Sequence, residues 1–363
     1  MRRHFLVLAA VPLFAVASPI ITSTHVAAEP VAKKLFGSKK APASLKARSI
    51  GSYARGCLAG GRMLPISGSG WEAMKLWRNR NWGNPVLIEF LERFATESTE
   101  IDGWPGLLIG DLSQPRGGPM LTGHKSHQIG LDADIWYKPK PDHPLTKKER
   151  ADSWSIPLAD QFSTTVNKQN WKPGYVTLIK RAASYRETAR IFVHPAVKRA
   201  LCEGAGNDRA WLRKVRPWWS HNYHFHVRLR CPPGVQGCKD QNLPPVGDGC
   251  GAQLDHWAKK LAAAEKWSKR KPKKPAKKKP RRELRVADLP PSCRAVLDAN
   301  PTGVAGAGAA STPDTPRRKP QTAAVRPASA SAAPADPGLP WRNNVNSNKA
   351  PPAAVPLPSR KPQ

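Results

Sequence analysis

The sequence predicts an α+β fold: a single disulfide-stabilised domain with a small antiparallel sheet and a disordered C-terminal tail. Three observations lead there. Apolar residues recur at helical spacing in some segments and at a period of two in others, and the two kinds are interspersed along one stretch. Six cysteines, an even number, stand in a chain whose N-terminus is of the exported type, which favours disulfides over a metal cluster; no Cys-x-x-Cys pair is present. Past residue 258 the composition turns to Lys, Arg, Pro and Ala, with too few apolar side chains to offset the entropy of ordering.

The elements follow in chain order. Arg2 and Arg3, the apolar run Phe5 to Val16 and the small residues after it read as a signal peptide over residues 1–28. Cleavage after Ala17 or after Ala28 fits, and Ala28 is preferred. The apolar run is too short to span a bilayer comfortably, no cysteine stands ready for lipidation, and no later stretch suits a transmembrane anchor. The folded domain is expected over residues 43–257, a length ample for one core. Within it, Asn84 and Pro85 mark a helix start, and Leu87, Ile88, Leu91, Phe94 and Ala95 give that helix an apolar face. Leu107 to Ile109 reads as a short buried strand, and Gly117-Gly118-Pro119 as a turn. Leu131 to Trp136 suits a strand, Tyr175 to Ala183 a helix, and Ile191 to Val193 a strand, and Pro195 opens another helix. A basic Lys/Pro-rich insert (residues 258–290), a short segment around Cys293 (residues 291–300) and a Pro/Ala-rich tail (residues 301–363) complete the chain.

The formal charge is +33, and the domain itself is basic around Arg209 to Arg216, Arg228 and Arg230. For an exported chain this means either a solvated surface or affinity for a polyanionic envelope component through the basic insert; nucleic acid is not the expected partner.

Two short segments carry the chemistry. His224, His226 and Arg228 alternate with Phe225, Val227 and Leu229, which is a strand with one polar and one apolar face. The apolar residues already supply the core face, so the histidines are free for ligand or catalytic work. Upstream, Gly123 to Asp134 holds His124, His127, Asp132 and Asp134. Asp132 and Asp134 share a strand face, although Asp132 also suits a turn cap and His124 a surface position. The spacing of His127 and Asp134 fits neither a strand face nor a helical one, so it requires a turn, and Gly130 is placed for it. His127, Asp134 and His226 together make two imidazoles and one carboxylate with an open fourth position, the ligand set of a catalytic zinc. No His-Glu-x-x-His arrangement supplies a glutamate base, which leaves His224, a group that titrates near neutral pH.

These residues resemble the penicillin-insensitive murein endopeptidases, zinc peptidases related to D-Ala-D-Ala metallopeptidases and lysostaphin-like enzymes. The likeness includes Ser49 to Tyr53, Gly123 to Trp136, Trp211 to Trp218, His224 to Cys231 and Leu243 to Cys250, and covers about Lys46 to Cys293 apart from the basic run. The resemblance implies Zn2+ on His127, Asp134 and His226. It implies His224 beside the metal-activated water, with His221 and His124 as further active-site histidines. It also implies disulfides Cys57–Cys293, Cys202–Cys250 and Cys231–Cys238, a periplasmic location, and peptidoglycan as partner. The substrate it implies is the D-alanyl–meso-diaminopimelate cross-link between stem peptides. Some relatives carry an additional Asp and His that help bind a second metal; here Thr164 to Trp171 holds no His, and only Asp160 is near. Two other readings remain open: a zinc D,D-carboxypeptidase of the same fold, and a non-catalytic wall- or polyanion-binding protein, for which the basic run and thirteen tryptophans speak.

Overall fold

A computed structural model describes residues 29–270 and 282–302. The signal segment, the centre of the basic run and the Pro/Ala tail lie outside the described residues. A short helix α1 (Ala32–Gly37) leads into a hairpin of β1 (Arg48–Ser52) and β2 (Arg55–Ala59). Short strands β3 (Arg62–Met63), β4 (Ser67–Gly68), β5 (Trp71–Ala73) and β6 (Trp82–Gly83) precede the long helix α2 (Pro85–Glu100). Then come β7 (Leu107–Ile109), β8 (Asp132–Trp136), α3 (Lys147–Asp152), α4 (Gly174–Ser184) and β9 (Thr188–Val193). The C-terminal part holds α5 (Pro195–Gly204), β10 (Val215–Pro217), β11 (His224–Leu229), α6 (Ala252–Ser268) and α7 (Ser292–Asp298).

Seven strands form the main sheet in the order β10-β9-β11-β8-β7-β5-β4. Its centre, β9-β11-β8-β7, is antiparallel, and two flanking pairs are parallel: β10 with β9, and β5 with β7. The period of two in the central strands divides their side chains. Ala133, Ile135, Phe225 and Val227 face the core, where Phe225 meets Phe94 of α2 and Tyr137, itself against Tyr175 of α4. Asp132, Asp134, His226 and Arg228 line up on the other face. The helix starts read from sequence form by the expected chemistry. The Asn84 side chain accepts from the Val86 amide with Pro85 as first helical residue, and His194 does the same for Ala196 ahead of Pro195.

The ordered body reaches further than residues 43–257. The basic composition from Lys259 reads as unstructured, yet α6 continues to Ser268. Leu254, Trp257 and Leu261, at helical spacing, are buried under it, while its lysines need only keep their charged ends in water. At the far side, Val286, Leu289, Cys293, Val296 and Leu297 meet Ala32, Phe36, Ala43, Ile50 and Cys57 in a second apolar cluster. Neither end has enough apolar surface alone; together they bury each other's.

Three disulfides are present: Cys57–Cys293, Cys202–Cys250 and Cys231–Cys238. The first fastens α7 onto β2 beside Arg116, whose guanidinium donates to the carbonyls of Val296, Leu297 and Ala299 at 2.9, 2.8 and 2.7 Å. Replacing both Cys57 and Cys293 by Ser is expected to lower unfolding free energy by about 2–4 kcal/mol. The check is the denaturant midpoint; an unchanged midpoint would mean that Arg116 and the apolar cluster hold α7 unaided.

Candidate metal centre

The register of two strands builds the centre. In the β11–β8 pairing His226 stands directly opposite Asp134, and Arg228 opposite Asp132. His226 Nδ1 lies 3.2 Å from Asp134 Oδ1, and the diagonal neighbour Asp132 places Oδ1 2.8 Å from His226 Nε2. A carboxylate only accepts, so the shorter contact places a proton on Nε2 toward Asp132, which leaves Nδ1 as the nitrogen that can offer a lone pair to a metal beside Asp134. Asp132 is held in turn by Arg228, whose Nε donates to Oδ1 at 2.7 Å and whose Nη2 donates to Oδ2 at 3.3 Å. Burial works against charge on Asp132, but Arg228 and His226 outweigh it and hold the carboxyl well below the usual range. Burial likewise opposes charge on His226, and Asp132 more than offsets it, so the imidazole titrates above its ordinary value.

His127 enters from the loop before β8. Its φ is +66°, a left-handed conformation disfavoured for any residue with a Cβ, and its amide donates to Asp132 Oδ2 at 2.9 Å. The β1–β2 hairpin supports that loop: Ser49 Oγ donates to the Ile129 carbonyl at 2.6 Å, and the Gly56 amide donates to Gln128 Oε1 at 3.2 Å. Gly117 makes the close approach possible, since a Cβ there would fall 2.0 Å from the Gln128 carbonyl oxygen. Asp132 thus does cap a turn, and from the same carboxylate it orients His226.

The remaining histidines surround this pair. His124 Nε2 is 3.0 Å from Asp111 Oδ2 and 3.5 Å from Asp134 Oδ2. Burial would raise the Asp111 carboxyl; the bonds to His124 and the charges of Arg80 and Arg78 bring it down to about 2. His224 Nε2 is 3.5 Å from Asp134 Oδ1, and burial lowers the pKa of His224. The His221 ring lies 5.1 Å from that of His224 and 5.9 Å from that of His226; its Nδ1 donates to the Trp219 carbonyl at 2.6 Å, and burial holds it well below the ordinary imidazole range.

His127 is completely buried, yet neither ring nitrogen has a hydrogen-bond partner, and Asp134 Oδ1 has none either. Buried polar atoms left bare are costly, and here three of them converge. His124, His127 and Asp134 each bring one donor atom to within 4.8 Å of the others, and His226 Nδ1 faces the same carboxylate. Two imidazoles and a carboxylate suit zinc among the common divalent ions. The donor set therefore fits a metal. Asp160 is not part of this group; it lines a hollow with Gln161, Ser220, Asn222 and Tyr223.

Sequence reasoning did not single out Asp111, Arg78, Arg80 or Arg228 for the site. Asp111 has no motif around it, and only the sheet brings it near: its carbonyl accepts from the Asp134 amide at 3.0 Å. Arg228 shares a strand face with His224 and His226, which was a usable signal.

Comparison with known proteins gives the family. The family model for penicillin-insensitive murein endopeptidase matches residues 49–298. The chain is similar to proteins of that description from Pectobacterium atrosepticum (41% identical over 251 residues, 69% of this chain and 84% of the relative) and Haemophilus influenzae (44% over 212 residues, 58% and 73%). A relative from Escherichia coli is 41% identical over 257 residues, covering 71% of this chain and 88% of its own.

Proposed function

Because this chain belongs to the penicillin-insensitive murein endopeptidase family, we propose that it is a zinc enzyme that hydrolyses the D-alanyl–meso-diaminopimelate cross-link between peptidoglycan stem peptides. The observation that carries the reading is the convergence of bare, buried donors on His127 and Asp134, with His226 Nδ1 facing them. His127, Asp134 and His226 would hold the metal. When bound, zinc supplies Lewis acidity toward the scissile carbonyl and makes water acidic enough to attack near neutral pH.

The chain's own residues do the rest. Asp132 and Arg228 fix the His226 tautomer so that its lone pair points inward. His224, on the open side of the centre with Nε2 3.5 Å from Asp134 Oδ1, takes the proton from the attacking water and returns it to the departing amine as the C–N bond breaks. His221, its Nδ1–H committed to Trp219, keeps Nε2 as an acceptor beside His224, and His124 closes the opposite wall against Asp111. All six cysteines are in disulfides, so no thiol is available as a nucleophile. A water mechanism needs no acylated serine, which accounts for indifference to β-lactams. Among the described residues no helix is long and apolar enough to cross a membrane. The export-type N-terminus and the family's wall substrate support action from the periplasm.

Digesting purified sacculi and a soluble cross-linked dimer, with and without a chelator, tests this. The expected result is uncross-linked stem peptides with no free D-alanine, and no products after chelation. Release of free D-alanine would shift the reading to a D,D-carboxypeptidase; full activity after exhaustive chelation would remove the metal from it.

A further inference from the structure

The sheet face that carries His226 holds more positive charge than the centre uses. Phe192 on β9 stands opposite His226, and Arg190, two residues before it on the same face, stands opposite Arg228. Arg216 on β10 stands opposite Phe192. Arg228 has Asp132 as its counter-ion. Among the described residues Arg190, Arg216 and Arg230 have no carboxylate at ion-pair distance. Arg190 donates to the Asn242 carbonyl, and Arg230 Nε is buried with no hydrogen-bond partner. Burial disfavours the charged forms of Arg190 and Arg216, and neighbouring guanidinium groups add to it: Arg228 for Arg190, and Arg190 for Arg216. Like charges are crowded here, and of these arginines only Arg228 has a carboxylate at ion-pair distance.

A cavity of about 340 Å³ opens at this place, where the β9–β11 register slips between Arg228 and Leu229. Ala189, Arg190, Arg230, Asp240, Gln241 and Leu243 are among its lining residues. Asp240 is the carboxylate in that wall, and its Oδ1 already accepts from Tyr53 Oη at 2.9 Å and the Cys231 amide at 2.8 Å. The two arginines of the lining thus leave it net positive.

We propose that this cavity is a carboxylate subsite, in which Arg190 and Arg230 hold a free carboxylate of the stem peptide whose scissile bond lies at the metal centre. The proposal rests on the peptidase reading above. Guanidinium forks match a carboxylate in two parallel hydrogen bonds. Arg190 is two strand residues from the partner of His226, roughly 7 Å at the usual rise, which is the reach of about a dipeptide. Stem peptides carry free carboxylates at such intervals.

The test uses the full-length, metal-loaded protein with Arg190→Gln and Arg230→Gln. Each is assayed on a soluble cross-linked dimer with free carboxylates and on the same dimer with carboxylates amidated. Metal content is measured alongside. On the free-carboxylate dimer the variants should raise KM on the order of tenfold, the scale of one charged hydrogen bond, with kcat near the parent's. On the amidated dimer parent and variants should agree, and Arg190→Lys should recover part of the loss. An unchanged KM, or an equal loss on both dimers, overturns the subsite. If the parent cuts neither dimer, the peptidase reading fails by itself. The subsite is then judged by calorimetric binding of an uncut monomeric stem peptide, which Arg190→Gln should weaken several-fold; equal binding overturns it. Displacement of that peptide by an equal concentration of inorganic phosphate would mark a general anion site and overturn it as well.

Discussion

Replacing His226 by Ala should remove the bound metal and the hydrolytic activity together. The imidazole is buried and lies between two buried carboxylates, Asp132 at 2.8 Å and Asp134 at 3.2 Å. Alanine takes away a metal ligand and also the hydrogen-bond donor that Nε2 offers Asp132, leaving Arg228 and the His127 amide to hold that carboxylate. A metal contributes several kcal/mol of transition-state stabilisation in hydrolysis, which corresponds to roughly a thousandfold or more in rate. Metal content of the purified variant, with turnover of the cross-linked dimer, is the measurement. His124 makes the outcome informative, because it groups with His127 and Asp134 as tightly as a ligand would. Full zinc occupancy in His226→Ala would give the third ligand position to His124 and sink the assignment to His226.

His224→Ala should behave differently, keeping its metal while its rate falls on the order of a hundredfold or more, the usual scale for a lost proton-transfer group. The two histidines share one strand face but not one environment. The His224 side chain is 23% exposed against 5% for His226, so it reaches the open side of the centre. Its nearest carboxylate oxygen is 3.5 Å away, too far to fix its tautomer as Asp132 fixes that of His226. Loss of zinc from His224→Ala would exchange the roles of the two.

Much of the scaffold could be read from local pattern. The alternation in His224 to Leu229 and the shared parity of Asp132 and Asp134 give the two central strands, because the pleat has a period of two whatever the strand pairs with. Asn84-Pro85 and Pro195 give helix starts, because capping is satisfied within a few residues. Register lies beyond that reach. That Asp134 faces His226, and that Arg228 secures Asp132 rather than solvent, depends on strands about ninety residues apart in sequence. Asp111 was invisible for the same reason. Composition misled at α6, where Leu254, Trp257 and Leu261 suffice to seat a helix otherwise rich in lysine. The cysteine pairs came from the family resemblance, since spacing alone allows many pairings.

The bond between Cys57 and Cys293 spans 236 residues. Every group assigned here to the metal centre or to the arginine cavity falls between those two positions, and so do the other two disulfides. In covalent terms the working part of this molecule is a macrocycle with two free ends, not a line. A protease that cuts once inside the macrocycle opens it without dividing it: His127 and Asp134 on one side of the cut and His226 on the other still belong to a single molecule. Separating them takes a second cut or a reductant.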